Sequence, residues 1–181
     1  MYYVKKISEI YIAAAQTYRN LSPNGAHPLL DPLWGGERLE IMHDGCEANR
    51  VDKSAKIAES TIALFNLRVC WKNPDGAYNC GQCEKCQRTI INLLAVGALE
   101  NCNAFDSGLD LHKIAQLPLY RKPKAATLMR QNLKALEYKD RAPDVQEAIR
   151  HALRDPSLMK RTAKALSDTY LSGRRRVGNV L

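Results

Sequence analysis

Long hydrophobic runs are missing from this chain. No apolar stretch approaches the ~20 residues that a membrane-spanning helix requires, and the longest, Thr89 to Leu99, is broken by Asn92 and Gly97. The opening Met1-Tyr2-Tyr3-Val4-Lys5-Lys6 lacks the apolar centre of a secretory signal. These lacks point to a cytoplasmic protein with no membrane partner. Internal repeats and low-complexity tracts are also missing, which argues against a solenoid and against a disordered linker. What is there is ordinary for a globular protein: 181 residues, 45 % apolar and 25 % charged. That length suits one domain, or one domain with a helical appendage.

Charge is uneven. Residues 1–109 hold 11 Lys/Arg against 12 Asp/Glu, whereas residues 110–181 hold 16 against 7. The formal charge of +8 therefore belongs to the last seventy-two residues. Such a segment reads as a polyanion-binding surface or as a solvated helical face.

The periodicity of Val4, Ile7, Ile10, Tyr11, Ala14 and Tyr18 predicts an amphipathic helix over residues 2–19. Ser22 to Gly36 carries three prolines and three glycines and predicts a long irregular loop anchored by Leu29, Leu30, Leu33 and Trp34. Leu39–His43 and Leu67–Cys70 read as short strands. A helix capped by Asp52 or Ser54 is expected to run to about Phe65, with Ile57, Ala58, Ile62 and Phe65 facing inward. Asn73-Pro74-Asp75-Gly76 is a turn, and Thr89–Leu99 reads as a buried helix. Beyond Leu109 the pattern is helical. One face carries Leu128, Met129, Leu133 and Leu136, and another carries Val145, Ile149, Ala152 and Leu153. A further helix is expected from about Ser157, then a basic tail at Gly173–Arg176.

Six cysteines stand out: Cys46, Cys70, Cys80, Cys83, Cys86 and Cys102. Cys70-x9-Cys80-x2-Cys83-x2-Cys86 has the makings of a tetrahedral four-cysteine site, because a Cys-x-x-Cys step turns the chain so that two sulfurs reach one ion. Zinc (Zn2+) held by four protein ligands is structural, with no position open for a catalytic water. Lys72, Lys85 and Arg88 would offset the thiolate charge, and Gly81 lets the backbone approach sulfur. The alternatives are an iron–sulfur cluster and four buried, unliganded thiols. Cys46 and Cys102 read as small buried residues.

Leu67-Arg-Val-Cys70-Trp71, Asn73-Pro-Asp-Gly76, Cys80-Gly-Gln-Cys83-Glu-Lys-Cys86 and Arg88 resemble the C-terminal part of the PP-loop ATP pyrophosphatase superfamily. The branch resembled is that of the 7-cyano-7-deazaguanine synthases (QueC-like). Glu47-Ala-Asn-Arg50-Val-Asp-Lys53 is similar to the family's lysine-bearing helix start, and His27-Pro-Leu-Leu-Asp31-Pro-Leu-Trp34 to a substrate- or nucleotide-side loop. The resemblance covers about residues 24–100 and implies the C-terminal portion of a PP-loop-type α/β domain with a four-cysteine zinc site (1–108); with the basic all-helical extension read from the pattern of 109–181, the expected fold is α/β and mostly helical.

The resemblance also implies ATP-dependent ligase chemistry. ATP with Mg2+ would activate a substrate acid or carbonyl oxygen as an adenylate, and ammonia would displace AMP. Arg50 and Lys53 would neutralise oxyanions, His27 or His43 would bind substrate or act as a base, and Asp31 and Trp34 would contact substrate or nucleotide. The Ser-Gly-Gly-x-Asp-Ser loop by which the family grips phosphates is lacking, and Gly35-Gly36 stands in an unrelated context. The chain alone should therefore not adenylate: either a missing N-terminal half or a partner chain supplies that loop, or activity has been lost. The competing expectation is a zinc-knuckle RNA- or DNA-binding module. Its phosphate contacts would come from Arg121, Lys122, Lys124, Arg130, Lys134, Lys160, Arg161, Lys164 and Arg174–Arg176, although only Tyr120, Tyr138 and Tyr170 offer rings for base stacking. A scaffold for a catalytic subunit, which would show an exposed apolar patch, is the third.

Overall fold

A computed structural model of the chain describes residues 7–72, 76–105 and 108–155. Ile10, Tyr11 and Ile12 are β-branched or aromatic and fit a pleated strand. Accordingly Glu9–Ala13 is a strand, β1, which pairs in parallel with β2, Glu40–Asp44, in a register running from Glu9↔Glu40 to Ala13↔Asp44. This overturns the amphipathic helix expected over 2–19. Ile7, Ile10, Tyr11 and Tyr18 share no buried face, and Tyr18–Asn20 is a 3-10 turn. Backbone pairing with a segment far along the chain outweighs the helical spacing. β2 falls where a strand was expected, displaced by one residue.

The connection between the two strands holds no α-helix, and its only regular pieces are the 3-10 turns at Tyr18–Asn20 and Asp31–Trp34. The apolar residues expected to anchor this loop do not do so: Leu29, Leu30, Leu33 and Trp34 are exposed, Trp34 to 79 %. A polar residue anchors it instead. Asp31 is buried, accepts the His27 backbone N–H at 3.0 Å, and lies 2.5 Å from Nδ1 of His43 on β2. A carboxylate can only accept, so the imidazole Nδ1 carries the proton.

The single helix expected to reach Phe65 is two: α1, Arg50–Ala58, and α2, Thr61–Phe65. Asn49 caps α1 by accepting from Val51 and Asp52, while Asp52 accepts the Asn49 N–H, a capping box that starts the helix ahead of the expected caps. Ser60 caps α2. The break shifts the helical phase, so Leu64 is buried and Ile62 and Phe65, expected inside, are exposed.

α3, Glu84–Val96, is the central helix, and it is buried on most sides as expected. It ends at Gly97, whose φ of +77° is open to glycine at little strain. α4 (Leu111–Ala115), α5 (Pro123–Tyr138) and α6 (Pro143–Leu153) follow. Ile91 and Ala95 of α3 pack in one apolar cluster with Ile114, Met129, Leu136, Val145 and Ile149, so the C-terminal helices rest on α3. The other side of α3 meets α1 and α2 through Leu93, Ile57 and Leu64. The coarse expectation of a mostly helical α/β chain holds. Among the described residues no helix is long and apolar enough to cross a membrane. The turn at residues 73–76 is largely, and the helix from Ser157 with its basic tail entirely, outside the described residues.

Candidate metal centre

Leu67–Cys70, expected to be a strand, has no strand partner among the described residues. Two of its backbone groups are satisfied by one buried side chain. Val69 N–H donates to Asn79 Oδ1 at 2.9 Å, and Asn79 Nδ2 donates to the carbonyls of Leu67 and Ala104, both at 2.8 Å. Asn79 thus does for this segment what a neighbouring strand would do, and it delivers Cys70 to the residue beside itself, Cys80.

After Cys80 the chain turns back through Gly81, whose φ is +64°, a conformation favouring glycine. The turn is fixed by a second buried amide: Gln87 Nε2 donates to Gly81 O at 2.6 Å and to Gly108 O at 3.3 Å, and Gln87 Oε1 accepts Asp110 N–H at 3.0 Å. Cys83 is the N-cap of α3 and Cys86 lies in its first turn, where the helix dipole favours negative charge.

The result is a compact group of four cysteines. The Sγ atoms of Cys70, Cys80, Cys83 and Cys86 all lie within 4.8 Å of one another. Cys70–Cys80 is 3.4 Å, Cys70–Cys83 3.7 Å, Cys83–Cys86 3.5 Å and Cys80–Cys86 3.9 Å. Four thiolates at about 2.3 Å from a tetrahedral ion sit about 3.8 Å apart, so these sulfurs fit a single ion. All six cysteines are free thiols. The group could hold a metal ion with ligands from Cys70, Cys80, Cys83 and Cys86. Cys46 and Cys102 are buried and outside the group.

Backbone N–H groups of Lys72 and Cys83 point at the Sγ atoms of Cys70 and Cys80. Burial pushes the Cys80 thiol up, but N–H donation from Gln82 and Cys83 and contact with the thiols of Cys70 and Cys83 outweigh it, holding Cys80 at about 6. Burial pushes Cys83 and Cys86 up. A cation bound among them would reverse that, since thiolates are the ligating form. Cations stand close by: Lys85 Nζ lies 4.9 Å over the Trp71 ring, and Arg88 pairs with Glu84 at 2.5 Å.

The other residues singled out from sequence divide into two places. Arg50 and Lys53, on α1, line a cavity of about 540 Å³ that reaches Cys70, Trp71 and Arg88. His27, Asp31, His43 and Trp34 belong to the β1–β2 loop and β2 and do not line that cavity. Lys53 Nζ donates to Ala14 O at 2.8 Å, just past β1. Desolvation and the nearby Arg50 charge lower the Lys53 pKa, and desolvation and Arg88 lower that of Arg50. Sequence reasoning passed over Asn79, Gln87 and Asn92. Only the position of the first two, flanking the cysteine run, marked them.

Compared with protein-family models, with curated proteins and with solved structures, the chain matches none.

Proposed function

We propose that this chain is the zinc-bearing portion of an ATP-dependent, PP-loop-type ligase whose phosphate-gripping loop lies on a partner chain or on another segment. The observation that carries the reading is the parallel pair β1–β2. Parallel sheets occur almost only inside α/β proteins with both faces covered. Here, among the described residues, two five-residue strands stand alone, and Ile10 and Tyr11 face solvent, Tyr11 to 63 %. Such a pair suits the margin of a larger sheet. The four-cysteine group supports the metal assignment: its spacing fits one ion, whereas a multi-iron cluster would interpose several metal and sulfide atoms and hold the cysteines farther apart. Zinc supplies structure there, since four protein ligands leave no open position.

In the completed enzyme a substrate oxygen attacks the ATP α-phosphorus, the bond to pyrophosphate breaks, and ammonia then displaces AMP. Arg50 and Lys53 neutralise oxyanion charge during this exchange, the role for which guanidinium and ammonium groups are suited. The exposed cations of α5 (Lys124, Arg130 and Lys134) with Tyr138 favour the second reading, a nucleic-acid-binding module. ATP–pyrophosphate exchange separates the two. Exchange that needs both this chain and a polypeptide carrying the Ser-Gly-Gly-x-Asp-Ser loop supports the ligase. No exchange, with oligonucleotide binding that falls steeply as salt rises, supports the second.

A further inference from the structure

The cavity between α1 and α3 has an unusual wall. Five of its fourteen described lining residues are Lys or Arg (Arg50, Lys53, Arg68, Lys85 and Arg88), and none of the fourteen is Asp or Glu. Part of this charge has partners. Arg88 pairs with Glu84, and a filled zinc–tetrathiolate group next to Cys70 would carry about −2. That still leaves about two positive charges unmatched. The Arg50 guanidinium makes no hydrogen bond or ion pair among the described residues. Like charges held this close repel, and an anion among them would relieve that repulsion.

A second observation is independent of charge. Asn92 lines the same cavity from α3, is 3 % exposed, and its carboxamide oxygen has no hydrogen-bond partner among the described residues. Buried amides are nearly always satisfied, so this oxygen, like those of Gln131 and Asn132, calls for a partner, and Asn92 alone of the three lines this cavity. The NH2 group of the same amide has no partner among the described residues and can donate to an acceptor in the cavity. The cavity volume, about 540 Å³, lies within the range of small-molecule sites. The Trp71 ring, on the same wall, is 84 % exposed and offers an apolar face to the rest of a ligand.

We infer that this cavity is a binding site for a small molecule carrying at least two oxyanion charges, held by Arg50, Arg68, Lys85 and Arg88 with Asn92 donating at its base. Arginine forks match phosphate and carboxylate equally in geometry, so both sources of oxyanion are probed. The inference deepens the role given above to Arg50 and Lys53, but it is read on this chain alone, without ATP or a companion polypeptide. Failure of pyrophosphate exchange therefore leaves it standing, and its own failure leaves the exchange result standing.

The test is titration calorimetry of the metal-loaded chain with inorganic pyrophosphate and, separately, with succinate, at low and moderate salt. Saturable one-to-one binding of either is expected, and the stronger probe names the oxyanion. The pair Arg50→Met with Arg68→Met should weaken it at least tenfold with metal content unchanged. Asn92→Leu, similar in volume, should weaken it at least threefold. Arg50→Met should raise the melting temperature of the ligand-free chain, an effect a merely structural arginine would not give. Three outcomes overturn the inference: no binding of either probe at millimolar concentration; equal weakening by Lys122→Met with Lys139→Met, which lie outside the cavity; or binding of a single-stranded oligonucleotide with neither probe bound.

Discussion

Asn79→Ala tests whether one amide sets the affinity of the metal centre. The substitution removes three hydrogen bonds, at 2.8, 2.8 and 2.9 Å, from a residue only 3 % exposed. Each is worth about 1 kcal/mol net, and two of the three reach Leu67–Cys70, so ordering that segment becomes less favourable by up to about 2 kcal/mol. Water entering the opened segment recovers part of this. Metal binds with high affinity only when Cys70 is in place, so the loss of order appears as lost metal affinity of about 10–100-fold, the range for partners that orient ligands. The assay is competition for zinc against a chromophoric chelator, with amide exchange at Val69 as the local reporter. Asn79→Ala should bind zinc about 10–100-fold more weakly and exchange Val69 faster, while amides of α5 and α6 are unchanged. Zinc affinity within about threefold of the parent, with Val69 exchanging fast, would refute the reasoning: Cys70 would then be positioned by something other than the amide clamp.

Chelation of the metal should loosen residues 67–86 while the α4–α6 cluster keeps its slow exchange, because that cluster is built from apolar contacts among Ile91, Met129, Leu136 and Ile149; mass-spectrometric exchange of the chelated chain reads this, and uniform unfolding would count against it. Gly97→Ala should lower stability by about 1–2 kcal/mol, since φ is +77° there; the 2.6 Å approach of the Arg141 guanidinium to the new methyl adds little, as that side chain can move, and a thermal melt decides. Asp31 gives an acid-sensitive loop. The His27 backbone N–H and then the His43 side chain hold its carboxyl below the usual carboxylate value, so its stabilisation is full above the unfolded value and is lost as pH falls through the lower, folded one. Trp34 fluorescence should therefore change below about pH 4, and Asp31→Asn should abolish that transition; an unchanged acid transition in the variant would disprove the assignment.

The four-cysteine group was legible because its members are close in sequence and a Cys-x-x-Cys step fixes its own geometry. What surrounds it was not. Asn79 serves Leu67 and Ala104, residues 12 and 25 positions away, and no local pattern announces such a partner. Arg68 and Asn92 become cavity neighbours only once α1 packs against α3. β1 was misread for the same reason: Ile7, Ile10, Tyr11, Ala14 and Tyr18 have helical spacing, while Ile10, Tyr11 and Ile12 suit a strand, and the choice is made by Glu40–Asp44, far along the chain. The C-terminal helices were readable because their apolar spacing is long and their breaks coincide with Pro118, Pro123 and Pro143.

The Glu9↔Glu40 pairing at one end of the sheet has a consequence for handling the protein. A strand whose outer N–H and C=O groups are free can template growth by other copies, and acidic side chains beside one another discourage that. Leu29, Leu30 and Leu33 of the connecting loop are already exposed, so replacing both glutamates by apolar residues would leave the isolated chain prone to fibrillar or amorphous precipitation.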